Sequence, residues 1–267
     1  MVRLPAPQAG ADAAGHRPTR PVTATPEWPA TRDGLIALYP RMPEPTLRVN
    51  FIAGVDGALT VDGLSAGLQG PGDKEIFDGL RTVCDALIVG AGTIRAENYD
   101  ALRLTPEARA WRTAHGLPEF PLMVIVSRSL NLDPGQLVFA DAPVPPIVVT
   151  RPGVDAAHLK GVAEVVDDVD LAGMVTMLRD RGAAQLLCEG GPSLFGDLIA
   201  ADLVDELCLT VSPLLAGGSA GRIAHGPDGP ARRMALRHVL IREDMLFLRY
   251  ARKFRTGRFP DPRASTC

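Results

Sequence analysis

This sequence lacks several features that would each point to a class of protein. It has no long apolar run: the longest fall far short of the ~20 residues a membrane span needs. Its first residues, MVRLPAPQAGADAAGHRPTR, carry no continuous apolar core of the secretory-signal kind. A cytoplasmic protein without membrane contact is expected. Positive charge is not in surplus either. The 28 Lys and Arg stand against 31 Asp and Glu, a net charge of −3, so no broad basic surface for nucleic acid is implied. Aromatic residues make up only 5 % of the chain. The four cysteines (84, 188, 208 and 267) form no C-x-x-C pair, and the five histidines (16, 115, 158, 225 and 238) have no ligand or triad spacing. No metal site is expected. Cys188 and Cys208 fall inside apolar runs, where a reduced thiol behaves as a small hydrophobe. The motifs H-E-x-x-H, G-x-S-x-G and the deaminase pattern H-x-E…P-C-x-x-C are absent, and Gly70-Pro71-Gly72-Asp73-Lys74 lacks the spacing of a P-loop.

What the chain has in quantity is glycine (27) and proline (24) over 267 residues, a length that fits one large domain or two small ones. Nine of the 24 prolines precede residue 46. Residues 1–45 therefore read as a Pro-rich, partly disordered arm, in which Asp33–Tyr39 alone has the makings of a short helix. Residues 46–254 read as the folded domain and 255–267 as a flexible tail. Within the domain, apolar runs at 47–54, 86–90, 121–127, 146–150, 162–166 and 185–188 read as strands. They are rich in β-branched residues, as strands buried on both faces are. Helical periodicity separates them at 72–84 (with Asp73 placed to cap), 106–116, 171–182 and 192–202. Three further strand-like runs close the chain, at 205–215, 235–242 and 244–254. The alternation predicts an α/β fold: a mainly parallel central sheet, helices on both faces and an antiparallel C-terminal edge. Ligands on such sheets bind beyond the carboxyl ends of the strands.

Four strand ends carry chemistry. Gly90-Ala91-Gly92-Thr93 begins like a dinucleotide loop but has Arg95 in place of the third glycine; Thr93 is placed to cap the turn that follows. Glu189-Gly190-Gly191-Pro192-Ser193-Leu194 leads into a helix whose free N–H groups suit a diphosphate. There Glu189 is expected to accept hydrogen bonds from loop N–H groups or a ribose hydroxyl. Ser127-Arg128-Ser129 places a guanidinium between two hydroxyls, suited to a 2′-phosphate. The stretch from Asn50 to Ser65 holds two Asp-Gly turns and reads as a flap, with Asp56 and Ser65 facing a ligand.

Taken together, VNFIAGVDGALTVDG (49–63), VCDALIVGAGTIRAEN (83–98), VIVSRSLNLDP (124–134) and LLCEGGPSLFGDLIAADLVDELCLTVSPLLAGG (186–218) resemble the reductase domain of bacterial riboflavin biosynthesis, a member of the dihydrofolate-reductase-like fold. The resemblance covers residues 46–254. It implies a homodimeric, NADPH-dependent reductase of a phosphoribosylamino-pyrimidine, of the 5-amino-6-(5-phosphoribosylamino)uracil reductase type. It also implies that Gly90, Gly92, Thr93, Glu97, Ser127, Arg128, Glu189, Gly190, Gly191, Pro192, Ser193 and Leu194 hold the cofactor. Asn50, Asp56, Ser65, Arg95 and Arg103 stand on the substrate side, with Asp56 as the catalytic candidate. The deaminase often fused ahead of this reductase is not expected, residues 1–45 being too short for one. Two departures from the family pattern fall on the flap, where Ala58 replaces a lysine and Gly67 a tryptophan. They leave two other readings open: a dihydrofolate or pterin reductase, whose ring would need Asp56 or Asp73, and a non-catalytic NADP-binding protein.

Overall fold

The computed structural model describes residues 25–97 and 99–252. Among the described residues, nine strands form one sheet: β1 (Thr46–Gly54), β2 (Ala86–Gly90), β3 (Leu122–Val126), β4 (Ile147–Val149), β5 (Glu164–Val166), β6 (Gln185–Cys188), β7 (Glu206–Ser212), β8 (Met234–Arg242) and β9 (Met245–Arg252). Their order is β5-β4-β3-β2-β6-β1-β7-β9-β8. The first seven run parallel, and β9 and β8 add an antiparallel hairpin beyond β7. The chain steps outward from β2 to β5, then returns to insert β6 between β2 and β1. The order therefore reverses at the β2/β6 seam, the kind of crevice where open α/β sheets take ligands.

Alternation along the strands divides the core between the two faces. Leu47, Val49 and Phe51 of β1 join Met174, Val175 and Leu178 of α6 (Leu171–Asp180) and Leu194, Phe195 and Leu198 of α7 (Pro192–Ala200). The opposite face packs Leu87, Val89 and Cys208 against Leu35 of α1 (Arg32–Leu38), Ile76 and Leu80 of α2 (Asp73–Val83) and Ile94 of α3 (Ala91–Ala96). The remaining helices are α4 (Pro106–Ala114) and the single-turn α5 (Leu137–Ala140). Cys84, Cys188 and Cys208 are buried free thiols, while Cys267 lies outside the described residues.

Three local readings are corrected. Residues 25–45 are part of the fold: Leu35, Ile36 and Tyr39 are buried, and Trp28 packs on Phe247 with ring centroids 5.2 Å apart. The carbonyls of Leu38, Tyr39 and Pro40 accept hydrogen bonds from the buried Arg249 and Arg48, which anchors the segment. The expected disorder of residues 1–24 and the tail at 255–267 lie outside the described residues. Asp73 does not cap α2. Gly72 is the N-cap, at φ +89°, where glycine is favoured, and Asp73 is the first helical residue. Thr93 likewise caps nothing, because α3 begins at Ala91 with Gly90 as its N-cap.

Candidate active site

The glycines after β2 and β6 bring their two loops together at the seam. Gly90 N–H donates to the Gly190 carbonyl at 2.7 Å. Gly190 has φ +114°, a conformation that side chains rarely adopt. A Cβ on Gly191 would lie 2.8 Å from Thr93 Oγ1, and one on Gly90 3.2 Å from Gly191 N. The loops can meet only without side chains. A Cβ on Gly92, by contrast, would meet nothing within 4 Å. The contact opens into a cavity of about 1000 Å³ along the carboxyl ends of β1, β2, β3, β4 and β6. α7 aims its amino end into this space, with Pro192 in its first turn and Ser193 Oγ 3.1 Å from His225 Nε2.

Every cofactor-side candidate lines this cavity: Gly90, Gly92, Thr93, Glu97, Ser127, Arg128, Glu189, Gly190, Gly191, Pro192, Ser193 and Leu194. Of the substrate-side set, Asn50, Ser65 and Arg95 line it too. Glu97 reaches across to the flap, where its Oε1 accepts from Ser65 N–H at 3.1 Å.

Asp56 and Arg103 do not line the cavity. The Asp56 carboxylate accepts from Gly217 N–H at 2.7 Å and Ala58 N–H at 3.0 Å, and these bonds hold it below the usual carboxylate range. Its work is to tie two turns together. Arg103 is half exposed and pairs with Asp100 and Asp141. Glu189 does line the cavity, but its partners are not loop amides. Arg81 of α2 grips it bidentately, Nε to Oε1 at 2.9 Å and Nη2 to Oε2 at 2.6 Å, and Tyr99 Oη donates to it as well. Burial, then the Glu189 carboxylate, push the Tyr99 phenol well above its usual range. The two flap departures also have local causes. Ala58 is buried, and a Cβ on Gly67 would lie 2.7 Å from Val61 Cβ, so this tight turn has no room for a side chain.

Sequence reasoning missed Arg81, Tyr99, Thr150 and Arg151. It also read Asp73 chiefly as a cap. Asp73 lines the cavity, and its Oδ1 accepts from Thr210 Oγ1 of β7 at 2.8 Å. Burial raises its pKa, against the lowering effect of that hydrogen bond. Arg151 follows β4, and it lines the cavity as Arg128 does after the neighbouring strand β3. Thr150 lines the same wall, and its buried Oγ1 has no hydrogen-bond partner. No signal marks Arg81 or Tyr99 in the sequence, since their meeting with Glu189 spans 108 and 90 residues. Among the described residues, no three His, Cys, Asp or Glu side chains are grouped to hold a metal.

A mainly parallel sheet with a glycine-lined seam and a cavity along the carboxyl ends of its strands is the arrangement in which open α/β folds take small-molecule ligands. The chain belongs to the RibD C-terminal domain family, whose model matches residues 45–246. Over 181 residues it is 29 % identical to the 2,5-diamino-6-ribosylamino-4(3H)-pyrimidinone 5′-phosphate reductase of Archaeoglobus fulgidus, covering 65 % of this chain and 83 % of that protein. The reductase of the same name from Methanothermobacter thermautotrophicus is 27 % identical over 191 residues, covering 69 % and 85 %. A pyrimidine reductase-like protein of Corynebacterium diphtheriae superposes with a TM-score of 0.73 at 25 % identity, over 82 % of this chain and 98 % of that one.

Proposed function

We propose that this protein is an NADPH-dependent reductase that converts a phosphoribosylamino-pyrimidine to its ribitylamino product. The observation that carries the reading is the side-chain-free contact of the Gly90 and Gly190-Gly191 loops at the mouth of the cavity, beside the amino end of α7. That arrangement lets a diphosphate approach the backbone, where free N–H groups and the helix dipole favour negative charge. Arg128 and Arg151, with Ser127 and Thr150, line the part of the cavity suited to a 2′-phosphate. Val126, Val149, Val169 and Leu171 supply apolar walls for the base nearby.

NADPH held there would supply a hydride for the imine carbon of the ring-opened ribose, with a proton going to the imine nitrogen. The chain orients the reactants and excludes water. Glu97 holds the flap residue Ser65 over the cavity, and Arg95, whose Nη1 donates to the Asn131 carbonyl at 3.0 Å, is the cavity-wall cation suited to the sugar phosphate. The Arg81–Glu189–Tyr99 group fixes the wall between the α2 face and the seam. Homodimerisation in the cytoplasm belongs to the same reading. The exposed Leu215 and Ile241, the latter on the open edge strand β8, support a second copy as the partner.

The test is turnover by the purified protein, followed by loss of the reduced-nicotinamide absorbance. NADPH oxidation is expected with the pyrimidine phosphate and not with dihydrofolate. Turnover of dihydrofolate alone would make the protein a pterin reductase. Tight NADPH binding with no turnover of either would make it a binding protein.

A further inference from the structure

One carboxylate stands where the cavity is otherwise suited to anions. In α7, Leu194, Phe195 and Leu198 turn into the core, which leaves Ser193 and Asp197, one helical turn apart, on another side of the helix. Both line the cavity. The Asp197 carboxylate takes Arg128 Nη2 at 2.5 Å, and among the described residues that guanidinium is its only side-chain partner. Arg151 adds a second cation to the cavity lining. Thr150, which lines the cavity too, is buried, and its Oγ1 has no hydrogen-bond partner. Two guanidiniums and an unpaired hydroxyl suit a phosphate. A fixed negative charge beside them opposes one.

The ion pair is unequal in its freedom. Asp197 is held by the helix, with its side chain 31 % exposed, whereas Arg128 stands on the turn after β3 and is 75 % exposed. Arg128 is therefore the partner that moves. A 2′-phosphate carries roughly two negative charges and three acceptor oxygens, more than a carboxylate offers, so it can draw the guanidinium away. The 2′-hydroxyl of NADH offers neither and leaves the pair closed. We propose that Asp197 is an exchange residue: it competes with the 2′-phosphate for Arg128 and takes the guanidinium back as the cofactor departs, which speeds release. This rests on the reading of the cavity as an NADPH site and adds a kinetic role to it. A guanidinium has five N–H donors in a planar fork, so one edge can reach the carboxylate while the other still holds the phosphate. The charge of Arg128 then stays paired throughout the hand-over. A reductase must discharge its oxidised cofactor in every cycle, and product release is a common limit on kcat.

The experiment measures Kd and the release rate for NADPH and for NADH, by nicotinamide fluorescence during displacement, in the wild type, Asp197→Asn, Arg128→Ala and the double variant. Asparagine keeps the shape of the side chain and leaves α7 undisturbed. Asp197→Asn is expected to bind NADPH about fivefold more tightly, mainly through slower release, and to change NADH by less than about twofold, the upper worth of an exposed ion pair. Without Arg128, the same substitution is expected to lose most of this effect, because the two residues act through one contact. The full effect surviving in the Arg128→Ala background would make Asp197 a plain repulsive charge and overturn the hand-over. Weaker NADPH binding in Asp197→Asn would also overturn it, the carboxylate then aiming Arg128 at the phosphate, as would equal tightening of NADH. If the wild type binds no NADPH, the cofactor reading has failed and the proposal falls with it. Wild-type NADPH binding that Asp197→Asn leaves unchanged sinks the proposal alone.

Discussion

Two buried arginine–glutamate groups lie on the same face of the sheet, one at the amino end of β7 and one just past the carboxyl end of the short strand β6. At the amino end, Glu206 is held by Arg48 at 2.7 Å and by Arg249 at 2.6 Å, and the two guanidiniums spend their other donors on the carbonyls of Leu38, Tyr39 and Pro40. At the carboxyl end, Glu189 is held by Arg81 and Tyr99 on the wall of the cavity. The first group is closed: its donors and acceptors are used up by the protein, and it fastens the segment before β1 to the sheet. The second stands where a ligand passes. Similar residue types therefore serve as an anchor at one end and as part of a working surface at the other, and the surroundings decide which.

Removing one carboxylate at a time separates the two roles, and these variants carry the largest effects. Glu206→Gln leaves two buried arginines facing a neutral amide. Breaking a buried ion pair in this way costs roughly 3–5 kcal/mol, to be read from denaturant unfolding, while kcat/KM per folded molecule stays unchanged. Glu189→Gln loosens Arg81 and Tyr99 at the cavity. A loss of about 10–100-fold in kcat/KM is expected, the worth of a charge-assisted hydrogen bond, with a smaller loss of stability because one arginine instead of two is left facing an amide. The comparison breaks if Glu189→Gln unfolds as easily as Glu206→Gln and leaves kcat/KM intact.

Mobility of charge sharpens the same contrast. Arg128, at the cavity, is three-quarters exposed and rests on Asp197 of α7 at 2.5 Å. It can leave that carboxylate for a phosphate, whereas Arg48 at the amino end, nearly fully buried, has nowhere to go. Arg128→Ala is expected to weaken NADPH relative to NADH by about 2 kcal/mol, roughly thirtyfold in the ratio of dissociation constants. Equal weakening of both would take Arg128 away from the 2′-phosphate.

The amino-end group also makes a pH prediction. His238 of β8 packs edge-on against Tyr39, with ring centroids 5.0 Å apart. Burial, and then the charge of Arg249, lower its pKa from 6.5 to about 4. The folded state thus binds this proton less readily than the unfolded chain does. Its contribution to stability is complete above pH 6.5 and is lost as pH falls towards 4. Burial opposes ionisation of Glu206, but Arg48 and Arg249 outweigh it and hold the carboxyl below its usual range, so protonation there adds a further loss at still lower pH. His238→Phe keeps a ring against Tyr39 and has no proton to gain. Its denaturation midpoint between pH 6.5 and 5 is expected to fall less than that of the wild type. Parallel curves would exclude His238 as the source.

These contrasts mark where the sequence could be read and where it could not. Strand and helix positions, the antiparallel edge and the two glycine loops follow from local pattern, because burial on both faces and a turn without side chains leave traces within a few residues. The glycine loops that meet at the cavity were legible for that reason. Arg81 with Glu189, and Asp73 with Thr210, are pairs made by packing α2 across the sheet, over separations of 108 and 137 residues. Nothing in the residues around Asp73 distinguishes a helix cap from a cavity carboxylate. Asp56 misled for the converse reason. An Asp-Gly turn on a flap looks alike whether its carboxylate faces a ligand or, as here, binds the amide of Gly217.

The smallest expected effect tests the substrate-side correction. Arg103 has the residue type for a sugar phosphate and lies a few positions after the Gly90 loop, but it points to Asp100 and Asp141 outside the cavity. Hydrogen bonding to Asp100 is the first of the causes that raise its already high pKa, so it stays charged across the working range. Exposed pairs of this kind contribute little, since water and salt screen them and two long side chains lose freedom to meet. Arg103→Ala is therefore expected to change kcat/KM by about twofold or less and to leave the melting temperature where it was. Arg95→Ala, on the cavity wall, is expected to raise KM for the pyrimidine phosphate by about tenfold, the loss of one charge-assisted contact. Measured side by side, the two variants locate the phosphate. If the larger rise in KM came from Arg103, the segment after α3 would have to turn inward when substrate binds, and the cavity as it stands would be an open form.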